Sequence, residues 1–148
     1  MAKVYLCGHT GSVNHGCEAI VRSTKKILLE CGINNVSLFT FNKEDDICYG
    51  LDKEISLIAY PHKSLYEKVV SVLKRKLFKD GAWGARRLYK KLLRDLDKDS
   101  LLFNIGGDTY CYGTPYISYA LNEVAEEQGL KNVLWGCSIE DNALEKRI

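Results

Sequence analysis

The chain has 148 residues, of which 46% are hydrophobic and 27% are charged, as in an ordinary globular protein with one domain. Its first residues are one lysine and a strand-length apolar run, too short for a signal peptide. No apolar stretch approaches the roughly 18 residues of a membrane span. We therefore expect a cytoplasmic protein whose cysteines are reduced thiols.

The formal net charge of +2 hides a strong asymmetry along the chain. Residues 63–98 carry twelve Lys or Arg and four Asp or Glu, a net +8, whereas the remaining residues carry nine and fifteen, a net −6. The simplest interpretation of this basic segment is a solvated face. Contact with a membrane surface comes next. Nucleic-acid binding is not expected, because the aromatic residues here lie mostly on the apolar faces of the predicted helices.

The first stretch of the chain has the pattern of a strand, a glycine-rich turn and a helix. Residues 4–7 form a short apolar strand. Asn14 can cap a helix that runs to about residue 30, with Gly32 just beyond its end. The free N–H groups and the dipole of such a helix start favour an anionic or sugar-like ligand. The sequence therefore predicts a ligand-binding loop at 8–16.

The rest of the chain alternates between strand and helix patterns. Further strands are predicted at 36–41, 54–60, 101–105 and 133–135, and a polar, acidic loop at 42–53. Helices are predicted at 64–77, 83–96 and 114–129. Alternation of this kind favours an α/β fold with a Rossmann-like open, mostly parallel sheet flanked by helices.

Local signals mark the starts of these helices. Ser64 and Glu67 form a capping box. Thr114 with Pro115 is an N-cap followed by the residue type favoured at the first helical position. The first basic helix has an apolar stripe made by Leu65, Val69, Val72, Leu73 and Leu77, and the second has one made by Leu88, Tyr89, Leu92, Leu93 and Leu96. We expect Lys and Arg to dominate the outer faces of both helices.

A strand order of 3-2-1-4-5 would place the strand at 4–7 beside the strand at 101–105. The loops that follow neighbouring strands then meet at the topological switch point, where open α/β sheets bind ligands. Three glycine-bearing loops, at 8–16, 106–113 and 136–140, are therefore expected around one crevice.

The sequence lacks two common nucleotide-binding motifs. Gly8, Gly11 and Gly16 do not form G-x-G-x-x-G, and the second strand ends in Phe41-Asn42 without a carboxylate for a ribose hydroxyl. No Gly-Lys-Ser/Thr is present, which excludes a P-loop. The sequence does not favour a dinucleotide site.

Two Cys/His pairs in the first stretch, Cys7-x-His9 and His15-x-Cys17, could in principle supply four zinc ligands. These spacings fit structural zinc sites poorly. The alternative is a buried strand thiol, a helix thiol and two loop histidines. No metal is therefore assigned.

Three types of polar side chain in and around the predicted loops can carry chemistry. His9 and His15 are candidates for acid, base or phosphate-binding roles, and His15 is favoured because it adjoins the helix start. Asp108 is able to orient a sugar hydroxyl or act as a base, or to cap its own loop by an Asx turn. Tyrosines at 110, 112, 116 and 119 surround the second loop, where aromatic faces suit sugar rings and also suit half-buried scaffold positions.

Three segments in this order resemble the polysaccharide pyruvyl transferase family. They are Gly11-x-x-Asn14-x-Gly16-x-Glu18-Ala19-Ile20, Ile105-Gly106-Gly107-Asp108 and Trp135-Gly136-Cys137-Ser138-Ile139. Two residues depart from the family pattern. Cys17 stands where the family usually has Asp, and Glu140 stands where a Gly-Pro often continues the third motif.

The resemblance implies a two-domain GT-B-type architecture with two Rossmann-like halves facing a cleft. It implies an enzyme that transfers a pyruvyl group from phosphoenolpyruvate to a saccharide acceptor of a cell-surface polysaccharide, with no cofactor. Residues 1–148 would be one Rossmann-like domain, the N-terminal half of a longer protein that is inactive without its C-terminal domain. The location implied is cytoplasmic, peripheral to the inner face of the membrane.

The resemblance and the loop positions together select the candidate site residues. Asp108 and His15 are the catalytic candidates on the acceptor side. The substrate-binding candidates are Gly8, Thr10, Gly11, Asn14, Gly16, Glu18, Gly106, Gly107 and Ser138. Two alternatives stay open: a GT-B glycosyltransferase half that uses a nucleotide sugar, and a non-catalytic Rossmann-like binding domain.

Overall fold

The computed structural model describes residues 3–78, 80–111 and 116–139, and in these ranges five strands alternate with helices. The elements are β1 (Val4–His9), α1 (His15–Glu30), β2 (Val36–Thr40), α2 (Lys43–Cys48), a 3₁₀ turn (Leu51–Lys53), β3 (Ser56–Ala59), α3 (Leu65–Phe78), α4 (Trp83–Leu93), β4 (Leu101–Asn104), α5 (Tyr116–Glu127) and β5 (Lys131–Leu134).

The strands form one parallel sheet in the order β3-β2-β1-β4-β5. The α/β, Rossmann-like prediction and the strand order are therefore both confirmed. β1 is central, with Val4 opposite Val36 of β2 on one side and Leu101 of β4 on the other. The carboxyl ends of β1 and β4 consequently lie side by side.

Two hydrophobic cores cover the two faces of the sheet. Tyr5 and Cys7 of β1 belong to the core that α4 and α5 complete. Val4 and Leu6 belong to the core on the opposite face, which α1 completes. This alternation follows from the twofold repeat of a strand, and it holds β1 buried on both sides.

The capping signals at Asn14, at Gly32 and in the Ser64–Glu67 capping box are confirmed. The Asn14 side chain accepts a hydrogen bond from the Gly16 N–H at 3.0 Å. The Ser64 N–H donates to the Glu67 carboxylate at 2.9 Å, and the Glu67 N–H donates to the Ser64 hydroxyl at 3.2 Å. Gly32 follows α1 with φ of 79°, the conformation that favours glycine there.

The prediction of a loop at 42–53 is wrong. This segment contains α2 and the 3₁₀ turn, with the Asn42 side chain accepting a hydrogen bond from the Asp45 N–H. Asp46 and Leu51 are fully buried within it. The segment has too few apolar residues to show helical periodicity, so its structure comes from a cap and from tertiary contacts.

The sequence predicts that both basic helices bury their apolar stripe and turn Lys and Arg outward. This prediction is confirmed for α4 and wrong for α3. Leu88, Tyr89 and Leu93 of α4 are buried, as expected. In α3 the apolar stripe faces outward, and Glu67 is its buried residue. The outer face of α3 is therefore apolar as well as basic.

Some sequence predictions fall outside the described residues: the Thr114-Pro115 helix start, Tyr112, Gly113 and Glu140. In the described ranges, α4 ends three residues earlier than predicted, and β5 starts two residues earlier. None of the helices described is long and apolar enough to cross a membrane.

Candidate functional site

The loops that follow β1 and β4 enclose a crevice of about 240 Å³ at the carboxyl edge of the sheet. The start of α1 forms one wall and the turn after β4 forms the other. The lining residues are Gly8, His9, Asn14, Gly16, Cys17, Ile20, Ile105, Gly106, Gly107 and Asp108. The crevice therefore occupies the switch point predicted from the strand order.

Gly8 allows the two loops to approach closely. The pairing of β1 with β2 shifts by one residue between Leu6 and His9, which is a β-bulge, and Gly8 has φ of 91°. A Cβ at this position would lie 2.8 Å from the Asn104 Oδ1 atom and 3.3 Å from the Gly106 Cα atom. Only glycine fits both the backbone conformation and the space.

The turn after β4 is held by backbone hydrogen bonds. The Thr109 N–H donates to the Gly106 carbonyl at 2.8 Å. The Ser138 N–H donates to the Gly107 carbonyl at 2.7 Å, which ties the third glycine-bearing loop to the second. Tyr110 and Ile139 form a parallel bridge between the same loops. The three loops thus form one connected rim.

Asn104 supports this rim from below. Its Nδ2 group donates to the Tyr110 hydroxyl at 2.8 Å, and Asn122 donates to the same hydroxyl at 3.2 Å. The Asn104 Oδ1 atom is buried and has no hydrogen-bond partner in the described part of the chain. It therefore retains the capacity to accept one.

A buried ionisable pair lies directly under the crevice. His9 Nε2 is 2.8 Å from Asp46 Oδ1, and both side chains are fully buried. The same carboxylate oxygen accepts from the Ser12 N–H at 3.0 Å and from the Ser12 hydroxyl at 2.6 Å. Burial opposes ionisation of Asp46, but hydrogen bonds with Ser12, Thr40 and His9 outweigh it and hold the pKa of the carboxyl below its usual value.

This pair leaves one nitrogen of His9 without a partner. Nε2 faces the Asp46 carboxylate, and Nδ1 has no hydrogen-bond partner among residues 3–78, 80–111 and 116–139. His9 lines the crevice, but its side chain is fully buried. The pair therefore supports the wall of the crevice from inside the protein.

Six of the predicted site residues lie together around the crevice: Gly8, Asn14, Gly16, Gly106, Gly107 and Asp108. Asp108 is exposed to solvent at this rim. Cys17, one of the two residues that depart from the family pattern, also lines the crevice. The crevice is thus open, with one carboxylate at its edge and one thiol in its wall.

The remaining predicted site residues lie elsewhere. Thr10 lines a neighbouring cavity together with Gly8. A Cβ atom at Gly11 would point toward Asn42. Ser138 is exposed, and its backbone N–H holds the rim.

His15 and Glu18 are joined by a hydrogen bond at the start of α1. The His15 side chain is 74% exposed, and its Nδ1 atom lies 3.2 Å from Glu18. Hydrogen bonds from His15 and then from Arg22 lower the pKa of Glu18. Neither residue is among those that line the crevice.

No group of three or more His, Cys, Asp or Glu side chains is placed to hold a metal ion in the ranges that the structure describes. Cys7 and His9, which were weighed as zinc ligands, have separate surroundings. The Cys7 thiol is buried in the core that α4 and α5 complete, and burial raises its pKa. His9 is paired with Asp46 instead.

Sequence reasoning did not select Asp46, and it ranked His9 below His15. Asp46 is 37 residues from His9 in the chain and lies in a segment predicted as a loop. The available signal was the position of His9 at the carboxyl end of the central strand, beside the switch point where open α/β sheets bind ligands.

A comparison with protein families agrees with the resemblance in the sequence. Neither the curated proteins nor the solved structures include a significant match to this chain. The family model for polysaccharide pyruvyl transferase matches residues 14–148, from the cap of α1 onward. The match contains Asn14 and Gly16 as well as Gly106, Gly107 and Asp108, which face one another across the crevice. The chain therefore belongs to the polysaccharide pyruvyl transferase family.

Proposed function

We propose that this domain binds the saccharide acceptor in the transfer of a pyruvyl group from phosphoenolpyruvate to a cell-surface polysaccharide or its precursor. The observation that carries the proposal is the convergence of two family segments, at Asn14–Gly16 and at Gly106–Asp108, on one crevice at the switch point. Sites of this kind in open α/β sheets bind ligands.

The crevice suits a polyhydroxylated ligand. Four of its ten lining residues are glycines, so a sugar ring is able to approach the backbone closely there. The start of α1 favours oxygen-rich ligands. The exposed carboxylate of Asp108 offers an acceptor for a sugar hydroxyl at the rim.

The reaction needs three kinds of group. An acid protonates the methylene carbon of phosphoenolpyruvate, cationic or N–H donors hold its phosphate and carboxylate, and a base receives a proton from the acceptor hydroxyl. Two acceptor hydroxyls add to the same carbon and close the ketal, and phosphate leaves with the electron pair of its C–O bond. The two hydroxyl protons balance the proton gained by the methylene and the one taken by the phosphate.

Within this scheme we assign Asp108 to the base on the acceptor side. It is the exposed carboxylate among the residues that line the crevice, so it is accessible to a bound hydroxyl. His15, the second candidate, would contact only a ligand that extends past the start of α1. The groups that hold phosphoenolpyruvate belong, in this proposal, to a second Rossmann-like domain that faces the crevice in a GT-B arrangement.

The proposal places the enzyme in the cytoplasm, at the inner face of the membrane, where phosphoenolpyruvate and lipid-linked glycan precursors are both available. The domain alone would then bind the acceptor without converting it.

Mass spectrometry of a saccharide acceptor incubated with the full-length protein and phosphoenolpyruvate tests the reaction. The expected product is heavier than the acceptor by pyruvate less one water, with one phosphate released for each ketal. A parallel incubation with a nucleotide sugar in place of phosphoenolpyruvate is the control. Transfer of a glycosyl group in that control, without ketal formation in the first reaction, would contradict the proposal.

A further inference from the structure

The apolar stripe of α3 faces away from the protein. Large hydrophobic residues with exposures between 43% and 81% run along the whole helix: Leu65, Tyr66, Val69, Val72, Leu73, Leu77 and Phe78. None of them belongs to either hydrophobic core of the described residues. Because α3 has 14 residues, the stripe is about 21 Å long. Contiguous exposed apolar surface on this scale marks an interaction site.

The polar side of α3 is the side that packs against the domain. Glu67 is buried and forms ion pairs with Lys91 at 2.6 Å and with Arg87 at 3.7 Å. The Ser71 hydroxyl contacts the backbone of α4 at Gly84, where any Cβ would clash with it. The orientation of α3 is therefore fixed by the ion pairs of Glu67 and by the packing of Ser71 against Gly84, and these contacts hold its apolar stripe outward.

The exposed charges on α3 and just before it, among the described residues, are all positive. Lys68, Arg75 and Lys76 are exposed on α3, and Lys63 is exposed just before it. The single carboxylate of α3, Glu67, is buried and paired. An exposed apolar stripe flanked by cations is the signature of a helix that lies in the interface of an anionic membrane. A second copy of the chain would bring these like charges together, so self-association through this face is opposed.

The groove beside α3 leads to the crevice loops. A cavity of about 260 Å³ between α3, α4 and the start of α5 is lined by Lys63 and Arg75. The next cavity, of about 350 Å³, reaches Gly8 and Thr10. Both are lined by the same three side chains, Phe41, Tyr116 and Ile117. The cavity beside α3 therefore adjoins one that reaches the first glycine-rich loop.

We propose that α3 docks the domain on an anionic lipid bilayer, with its apolar stripe inserted among the acyl chains and its lysines and arginine against the phosphate groups. This inference adds to the proposed function the surface by which the enzyme reaches the membrane, and it does not depend on the reaction.

Co-sedimentation of the full-length protein with vesicles tests the proposal. Vesicles of phosphatidylglycerol mixed with phosphatidylcholine are compared with vesicles of phosphatidylcholine alone. We expect binding to the mixed vesicles only, weakened as ionic strength rises, because the charge contribution is screened. A Tyr66→Trp variant adds a spectroscopic readout, since insertion would shift its emission to shorter wavelength with the mixed vesicles.

A double variant, Leu65→Glu with Leu77→Glu, is expected to weaken binding to mixed vesicles by at least about tenfold, because it removes two apolar groups and adds two negative charges. The matched control is Ile27→Glu with Leu29→Glu on α1, which changes the net charge equally and involves residues that are 42% and 41% exposed. We expect the control to bind within about twofold of the original protein.

Three results would overturn the proposal: no binding to mixed vesicles, equal binding by the α3 double variant, or a lipid-free dimer that the α3 double variant dissociates. The last would mean that a second copy covers the stripe. Ketal formation on a lipid-free saccharide is expected to be unchanged in the α3 double variant. If no ketal forms, the proposed function is contradicted and the membrane proposal is unaffected. If the protein does not bind vesicles, the membrane proposal is contradicted and the proposed function is unaffected.

Discussion

His9 Nε2 lies 2.8 Å from Asp46 Oδ1, and this hydrogen bond joins the end of the central strand to a short helix 37 residues later. Because the carboxylate also accepts two hydrogen bonds from Ser12, it anchors the glycine-rich loop from within. The pair therefore organises the first wall of the crevice from inside the protein.

Replacement of Asp46 by Asn is expected to lower the free energy of unfolding by about 1–3 kcal/mol at pH 7, because buried donors of His9 and Ser12 lose a charged acceptor. The folded state lowers the pKa of Asp46, so its contribution is present above the ordinary Asp pKa of about 4 and is lost as the pH falls through the lower native value. Urea unfolding from pH 7 to pH 3 measures this dependence.

The difference between the Asp46→Asn variant and the original protein should thus shrink as the pH falls. An Asp52→Asn variant, at an exposed carboxylate, is the control and should follow the original protein throughout. A difference that stays constant between pH 7 and pH 3 would mean that Asp46 is not ionised in the folded protein.

Replacement of Gly8 by Ala is expected to destabilise the fold by about 3 kcal/mol or more, because it adds a close contact to backbone strain. The comparison is Gly32→Ala, whose φ of 79° is also left-handed but whose added methyl would meet no atom within 4 Å. That variant should cost only about 1–2 kcal/mol. Thermal and urea unfolding of both variants separate the two contributions, and equal losses would contradict the close approach of Gly8 to Asn104.

Replacement of Gly84 by Ala tests the contact between α3 and α4. The new methyl would meet the Ser71 hydroxyl and lie 3.3 Å from Ser71 Cβ. We expect a net loss of about 1 kcal/mol, since overpacking outweighs the better helix propensity of alanine.

The hydroxyl of Ser71 is buried without a hydrogen-bond partner among the described residues, so Ser71→Ala alone should be nearly neutral. Together with Gly84→Ala it should recover most of the lost stability in a double-mutant cycle. Strict additivity of the two changes would show that α3 and α4 do not touch at this point.

Replacement of Asp108 by Asn is expected to lower kcat for ketal formation by about 100-fold or more, with a smaller effect on KM, because it removes the assigned base and keeps the shape of the side chain. The rate of phosphate release measures kcat. Asp52→Asn is again the matched control, since its carboxylate is exposed and distant in sequence from both glycine loops. An Asp108→Asn enzyme with full kcat would reassign the base.

Much of the fold follows from local signals. Asn14, Ser64 and Glu67 cap helices through atoms within three residues of one another, so the sequence alone predicts these starts. The strand order follows from alternation of elements and from the handedness of crossovers. The crevice follows in turn, because the strand order fixes which loops are neighbours.

Long-range contacts account for what could not be predicted. α2 carries one large apolar residue, Ile47, and it is 46% exposed, so no periodicity marks this helix. Its buried contact is Asp46, whose partner His9 lies on another element. In α3 the periodicity revealed an apolar stripe, but the side that packs is decided by the fit of Ser71 against Gly84 and by the ion pair of Glu67 with Lys91.

The close approach of Gly8 to Asn104 and Gly106 also has an evolutionary consequence. Three positions, on the ends of β1 and β4 and in the loop after β4, share one small volume. A larger residue at one of them is therefore tolerable only with a compensating change at another. Related sequences should therefore vary at positions 8, 104 and 106 in combination or not at all. Diversification for new acceptor sugars would then fall on neighbours such as Cys17, whose side chain lines the same crevice outside this shared volume.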